Sequence, residues 1–303
     1  AQYGLRTAGI VDIQTKEGLA KPGGSLGLMV GSHNTQDEDA TLYGAKGNLS
    51  YYFSGSLVSN ANGIENTQPT LNPQNDQTRQ ARSFGNLSYF VDDSTRIGLM
   101  FGTYNGKFQI PTNPDQAPGF SLAGYSDLAA GFNALPSSDV REQQTEVNRF
   151  AVLSFQKTLD RLDYQISAFR QYSDLHFLPD PVGDLIYNGV ASNTLRSNTA
   201  NGLQFDASYK TNPDHTLRFG SAYTRQATQS DNTVAVFPAD ADGNQTSDVP
   251  ETIVDNSGKI GQLFSLYAQD EWRLNPKLTL NYGLRFDTVN AFTTEHQLSP
   301  RVN

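Results

Sequence analysis

The chain has 303 residues, of which 37% are hydrophobic and none is cysteine, and its formal net charge is -9 at pH 7. Without cysteine it has no disulfide framework, no thiolate metal site and no cysteine nucleophile. The basic residues are scattered singly along an acidic chain. This argues against nucleic acid as a partner, because phosphate backbones are bound by clustered Lys and Arg.

The elements follow in chain order from period-2 alternation and from turn residues. A short strand is predicted within Gln2–Lys16, and a Gly/Pro linker follows at Gly18–Gly24. No uninterrupted apolar run approaches the roughly 20 residues that a membrane-spanning helix needs. With approximate edges, the strands beyond the linker are predicted at 24–33, 39–47, 50–60, 80–91, 94–110, 143–157, 161–177, 196–210, 214–228, 262–274 and 277–291, with a twelfth beginning near Gln297.

The strand at 277–291 shows the pattern most clearly. One face carries Leu278, Leu280, Tyr282, Leu284 and Phe286, and the other carries Thr279, Asn281, Gly283, Arg285 and Asp287. The second set is too polar for a dry core, where each unpaired group costs about 1–3 kcal/mol. We therefore expect a hydrated lumen on that side and a lipid-facing band on the other. Around Phe150 the alternation is less regular and leaves the facing of that strand open.

Connection lengths indicate how the strands are joined. Short and long connections alternate, which is typical of an up-and-down outer-membrane barrel with short periplasmic turns and long outer loops. The fold class predicted is therefore all-β, an antiparallel up-and-down transmembrane β-barrel. Short connections are predicted at 47–48, 92–93, 158–160, 212–214 and 275–276, and long polar loops at 61–79, 111–142, 179–195 and 229–261, with a shorter loop near Gln36.

Two stretches resemble a known family. Tyr267–Trp272 (Y-A-Q-D-E-W) followed by Leu278–Asp287 (L-T-L-N-Y-G-L-R-F-D) resembles the mid-barrel hairpin of TonB-dependent outer-membrane receptors, and Leu298–Val302 looks like the start of their next strand. Gln2–Lys16 is similar to the segment that closes their plug domain. The resemblance implies a parent barrel of roughly 22 strands around a plug. Residues 1–20 would then end the plug, and residues 21–303 would form the N-terminal half of the barrel, so we expect a fragment.

The resemblance also implies a function. A TonB-dependent receptor takes up a scarce nutrient, most commonly siderophore-bound iron, across the outer membrane of a Gram-negative bacterium. Its partners would be the ligand, outer-membrane lipid and TonB, the last through a coupling box that this chain lacks. One alternative is a passive porin-type diffusion channel, against which the plug-like Gln2–Lys16 argues. The other is a soluble β-rich ligand-binding protein.

No catalytic constellation is visible, so we expect no enzyme activity, no cofactor and no metal. The four histidines are far apart in sequence and lack an H-E-x-x-H pattern. Asp240–Glu251 partly imitates a calcium-binding EF-hand loop, but Gln245 occupies the sixth position, which requires glycine. A solvated outer loop is the simpler interpretation of this segment.

The candidate substrate-binding residues are Tyr104, Phe108 and Phe177, aromatic side chains predicted on the wet face near the outer strand ends. They could stack on a ligand or pack on the plug and neighbouring loops. Two further sets of residues are predicted from their place in the strands. Four arginines are predicted to face inward, where the resemblance implies ion pairs to the plug: Arg82, Arg96, Arg218 and Arg285. Four aromatic residues suit an interfacial girdle: Trp272, Tyr89, Tyr209 and Phe286.

Overall fold

The computed structural model describes residues 21–63 and 74–302. Its main feature is one antiparallel sheet of 12 strands, each paired with its neighbours in the chain, and a separate pair of short strands lies within one loop. The strands are β1 (Gly23–Gly31), β2 (Thr35–Lys46), β3 (Leu49–Asn60), β4 (Thr78–Asp92), β5 (Thr95–Ile110), the short β6 (Ser126–Asp127) and β7 (Phe132–Asn133), β8 (Glu142–Thr158), β9 (Leu162–Leu178), β10 (Val190–Asn212), β11 (His215–Val236), β12 (Glu251–Asn275), β13 (Leu278–Asn290) and β14 (Thr294–Val302).

This meander confirms the predicted antiparallel up-and-down architecture. Among the described residues, the edge strands β1 and β14 pair only with β2 and β13, so the sheet is not closed. An open sheet of this kind agrees with a partial barrel. The segment Gln2–Lys16 lies outside the described residues, and the domain boundary between residues 20 and 21 therefore stays a prediction.

The two faces of the sheet differ in polarity as predicted. Across five strands, Leu153, Ala168, Leu203, Tyr223 and Phe264 form one row of cross-strand partners, which defines the outer face. The next row consists of Ser154, Ser167, Gln204, Ala222 and Ser265 and defines the inner face. Leu153 and Leu203 are more than half exposed, whereas Ser265 is buried. The apolar outer face is therefore the one available to lipid.

Register settles the facing of the strand around Phe150. Phe150 pairs with Gly102 on β5 and with Gln171 on β9, which places it on the inner face. Its ring lies over Gly102, where an added Cβ would come within 2.5 Å of the ring. The glycine makes room for an inward-pointing aromatic ring, and this explains the weak alternation in the sequence.

The predicted outer loop at 229–261 is wrong over most of its length. β11 continues to Val236 and β12 begins at Glu251, so only residues 237–250 connect them. β10 likewise begins at Val190, within the predicted loop at 179–195. Beyond the membrane both faces of a strand meet water, so the apolar alternation disappears although the backbone ladder continues. The strands project beyond the apolar band.

The long loops were predicted as polar segments, but they build a small core of their own. Helix α1 (Gly183–Asn188) ends at Gly189, whose φ of 74° is left-handed. α1 has only six residues, and no helix in the described parts of the chain is long and apolar enough to cross a membrane. Seven buried side chains from the connections at 111–141, 179–189 and 237–250 and the start of β10 pack together: Leu122, Val140, Leu185, Ile186, Tyr187, Ala191 and Phe237.

Candidate functional site

The inner face carries a pocket near the long-loop ends of β8 to β12. Its volume is 610 Å³, and its lining includes Glu146, Arg196, Asn198 and Lys259 together with Phe292 from the β13–β14 turn. Serine and threonine side chains occupy much of the remaining inner surface. A pocket of this size with a few charged groups can hold a small polar ligand.

The register brings the polar groups of this pocket together. Asn198 pairs with Thr228 on β11, and Thr228 pairs with Lys259 on β12, so the three form one inner-face row. The Lys259 ammonium lies 5.5 Å from the centroid of the Phe292 ring. The Asn198 Oδ1 atom is buried and has no hydrogen-bond partner among the described residues. A buried acceptor without a donor is costly, so it favours a ligand that supplies one.

The predicted aromatic residues lie on the same inner face, but outside this pocket. Tyr104 and Phe108 both lean over Gly106, where an added Cβ would come within 2.6 Å of the Tyr104 hydroxyl and 2.7 Å of the Phe108 ring. The Arg82 guanidinium lies 5.7 Å from the centroid of the Tyr104 ring. Phe108 and Phe177 face each other across Gln144 in one row. The structure therefore brings the three aromatics into one region, and their contact with a ligand stays a prediction.

The four arginines predicted to face inward all lie on the inner face, and they make contacts within the sheet. Arg96 Nε donates to Gln156 Oε1 at 2.8 Å. Arg218 forms an ion pair with Glu271 at 3.0 Å. Arg285 Nε donates to both carboxylate oxygens of Asp287, at 2.9 Å and 2.8 Å. An ion pair between any of these arginines and a plug remains a prediction.

Arg285 belongs to a buried network. The Ser265 hydroxyl donates to Asp287 Oδ1 at 2.5 Å, and Asp287 is only 2% exposed. On the neighbouring strands the Tyr267 hydroxyl donates to Asp206 Oδ1 at 2.6 Å. Buried charges are tolerated when they are paired and hydrogen-bonded. The network fixes the inner wall of the sheet below the pocket.

The predicted girdle aromatics are all exposed on the outer face. Tyr89, Tyr209, Trp272 and Phe286 are 36–49% exposed. Trp272 stacks on His215, with ring centroids 5.3 Å apart. The His215 ring in turn lies 2.6 Å from the Asp270 carboxylate. This arrangement orients Trp272 beside the short turns, where an aromatic belt meets the membrane interface.

The outer loops contain a pair of close carboxyl groups. Asp184 in α1 is 3% exposed and hydrogen-bonds the Glu142 side chain, with Asp180 also nearby. Burial, followed by the hydrogen bond and the negative charge of Glu142, raises the pKa of Asp184 to about 8. The loop core therefore holds a proton at neutral pH.

The calcium-like segment uses its first carboxylate for a turn. Asp240 Oδ1 accepts hydrogen bonds from the backbone amides of Asp242 and Asn244, at 3.0 Å and 2.8 Å. Bonds from Asn244 hold the pKa of Asp240 below its usual range. Glu251 begins β12 and pairs with Val236. Within residues 21–63 and 74–302 no group of three or more His, Cys, Asp or Glu side chains could hold a metal ion.

Sequence reasoning missed Asn198 and Lys259 as site residues. Asn198 lies in a predicted strand, but nothing in a single sequence shows that its carbonyl oxygen is buried. Lys259 falls in the segment that was taken for a loop, so no facing was assigned to it. Extending the period-2 count back from the polar Ser265 would have placed Lys259 on the same, inward face.

Comparison with known proteins bears on the fold. Residues 199–302 match a family described as an outer membrane beta barrel domain. No curated protein sequence matches the chain. Among solved structures, the chain is similar to the siderophore receptor PiuA from Acinetobacter baumannii, with 15% identity, a TM-score of 0.58, and coverage of 95% of this chain and 47% of that one.

Two further structures are similar over 95% of this chain. One is the ferric yersiniabactin uptake receptor FyuA from Yersinia pestis, with 13% identity, a TM-score of 0.64 and 44% of that chain covered. The other is the ferripyoverdine receptor of Pseudomonas aeruginosa, with 14% identity, a TM-score of 0.65 and 40% of that chain covered. The chain thus spans less than half the length of these three proteins. It has the fold of an outer-membrane β-barrel of a Gram-negative bacterium, as the resemblance to receptor barrels predicted.

Proposed function

We propose that this chain is part of a gated outer-membrane receptor that takes up a scarce nutrient with energy delivered through TonB. The proposed cargo is a small metal complex of the ferric-siderophore type. The observation that carries the proposal is the inner-face pocket at the long-loop ends of β8 to β12, where Arg196 and Lys259 lie near the buried oxygen of Asn198. The names of the similar structures, which include siderophore and ferric-complex receptors, support the same class of cargo.

The pocket chemistry suits such a cargo. Siderophore-type ligands present oxygen atoms with partial or full negative charge and amide or hydroxyl donors. Arg196 and Lys259 can bind the oxygens, Asn198 Oδ1 can accept from a donor, and Phe292 offers an aromatic face. Tyr104, Phe108 and Phe177 extend the aromatic surface on the same side of the sheet. In this role the chain binds and releases cargo and makes or breaks no covalent bond.

The energy dependence follows from the resemblance to TonB-dependent receptors. A ligand held in a closed lumen is released inward only if the plug moves, and TonB would supply that work. The buried Arg285–Asp287 pair keeps the inner wall rigid during such a movement. A passive channel would require neither a plug nor coupling.

The test is uptake of a radioiron siderophore by cells that express the full-length protein, with and without TonB. We expect saturable uptake that disappears in cells without TonB, and deletion of the plug should convert it into leakage. Uptake that persists without TonB and rises linearly with concentration would indicate a passive channel and would refute the proposal.

A pocket variant tests the site separately. Arg196→Gln with Lys259→Gln should weaken cell-surface binding of the ferric complex at least tenfold, since charge-assisted hydrogen bonds contribute about 1.5–3 kcal/mol each. The control is Arg96→Gln, an inner-face arginine outside the pocket and away from Tyr104, which should bind normally. Equal affinity of the double variant and the control would exclude this pocket as the ligand site.

A further inference from the structure

Basic side chains on the outer face lie at the long-loop edge of the apolar band. On β8, β9 and β11 the outward-facing apolar runs end at Ala151, Ala168 and Tyr223, respectively. The next outward position on each of these strands is an arginine. These residues are Arg149, Arg170 and Arg225. On each of these strands, therefore, an apolar residue and an arginine are consecutive outward-facing positions.

The register places the three arginines side by side. Arg170 is the direct partner of Ala151 and Arg149 that of Tyr172, so Arg149 and Arg170 are diagonal neighbours, about 7–8 Å apart. Arg170 also pairs with Asn201, and Asn201 pairs with Arg225. The last two arginines are therefore two strands apart, or about 10 Å. The fold collects into one row residues that are scattered in the sequence.

No described residue forms an ion pair with this row. Arg149 and Arg170 are exposed, Arg225 is partly exposed, and none of them has an ion pair or side-chain hydrogen bond within the described part of the chain. The nearest outward acid, Asp174, is a diagonal neighbour of Arg149 and accepts a hydrogen bond from Tyr172 at 2.7 Å. Three guanidinium groups without an ion pair beside an apolar band can bind an anionic partner at the membrane edge.

A groove on the same face extends the cationic region. Arg79 on β4 and Lys107 on β5 are direct cross-strand partners, and both line a groove of 590 Å³. Leu57 and Val147 contribute apolar surface to this groove, and Glu38 and Glu146 contribute opposing charges. Val147 is the next outward residue after Arg149 on β8. Apolar surface and basic side chains therefore continue from the row into the groove, together with these two carboxylates.

We propose that the row Arg149, Arg170 and Arg225 binds the phosphate groups of a phosphorylated glycolipid in the outer leaflet, with its acyl chains on the apolar band below. The long loops mark the outer side of the membrane, so the row lies at the headgroup level of that leaflet. Guanidinium groups bind phosphate through two parallel hydrogen bonds. The apolar residues directly below the row select a lipid over a soluble phosphate. This site is independent of the proposed uptake function.

The experiment uses the purified full-length protein in detergent and follows its thermal unfolding midpoint. The probes are lipid A, phosphatidylcholine and inorganic pyrophosphate. The test variant carries Arg149→Gln, Arg170→Gln and Arg225→Gln. The matched control carries Arg161→Gln, Arg273→Gln and Lys277→Gln, the same change in charge at the short-turn rim.

Lipid A should raise the midpoint of the wild type and of the control, and the test variant should need at least tenfold more lipid A for the same shift. Replacement of the three arginines by lysine should retain part of the response and shows that loss of charge, rather than misfolding, is responsible. Two outcomes would overturn the proposal. One is an equal response of the test variant and the control, and the other is an equal response of the wild type to pyrophosphate or phosphatidylcholine.

Discussion

Asp184 should make the outer loop core weaker as the pH rises. The pKa of Asp184 lies at about 8 in the folded loops against 3.8 for an aspartate exposed to water, so between these values the folded state holds a proton that the opened state releases. Stability therefore falls as pH increases through this window. Each pKa unit corresponds to about 1.36 kcal/mol, so the difference between 3.8 and about 8 sets an upper bound of about 6 kcal/mol for the loss across the whole window. Asp184→Asn stays neutral and should remove this dependence.

The measurement is amide hydrogen exchange in α1 of the full-length protein at pH 6 and pH 8.5, corrected for intrinsic rates. The reporter is the Ile186 amide, which donates to Val182 at 3.1 Å. The opening free energy of the wild type should decrease between the two pH values, while that of Asp184→Asn should stay constant. Asp242→Asn removes an exposed carboxylate of the neighbouring loop and should behave as the wild type. If the wild type and Asp184→Asn show the same pH dependence, Asp184 is not the responsible group.

Three substitutions test the packing. Ile186→Ala should destabilise the loop core by about 2–5 kcal/mol, because the side chain is fully buried. The variant should be cleaved faster by thermolysin in the loops, while the heat-modifiable gel mobility of the barrel should not change. Gly202→Ala should lower the yield of the heat-modifiable folded form, since the new Cβ would lie 2.7 Å from a backbone carbonyl oxygen. The control Gly258→Ala should fold normally, because its Cβ would lie 3.5 Å from the nearest carbonyl oxygen. Asp287→Ala should lower the midpoint of urea unfolding, because it removes the buried carboxylate to which Arg285 and Ser265 donate, at a cost of about 3–5 kcal/mol. An unchanged midpoint would contradict this.

The sequence predicted the strands where a strand has one face in lipid. From Leu278 to Phe286 the alternation follows directly from the apolar band, and the structure has β13 at Leu278–Asn290. The prediction failed above the band, at residues 229–236 and 251–261, because water on both faces removes the pattern while the ladder hydrogen bonds remain. The loop core was missed for a different reason. Leu122 and Phe237 are 115 positions apart in sequence, and no local pattern shows that they belong to one buried cluster.

The candidate site was predictable only in part. The inward facing of Tyr104 and Phe177 follows from counting residues along a strand, so the sequence sufficed for it. The grouping of Asn198 with Lys259 depends on the register of three neighbouring strands, which a single sequence does not encode locally.

The charged residues show the same limit of prediction from a single sequence. The composition argued against nucleic acid as a partner, because the basic residues occur singly along an acidic chain. A β-sheet, however, places residues that are far apart in the chain about 5 Å apart across neighbouring strands. Arg149, Arg170 and Arg225 are separated by 21 and 55 positions in sequence, yet they form one row on the outer face. In a sheet protein, a cationic surface must therefore be sought along the ladder rather than along the sequence.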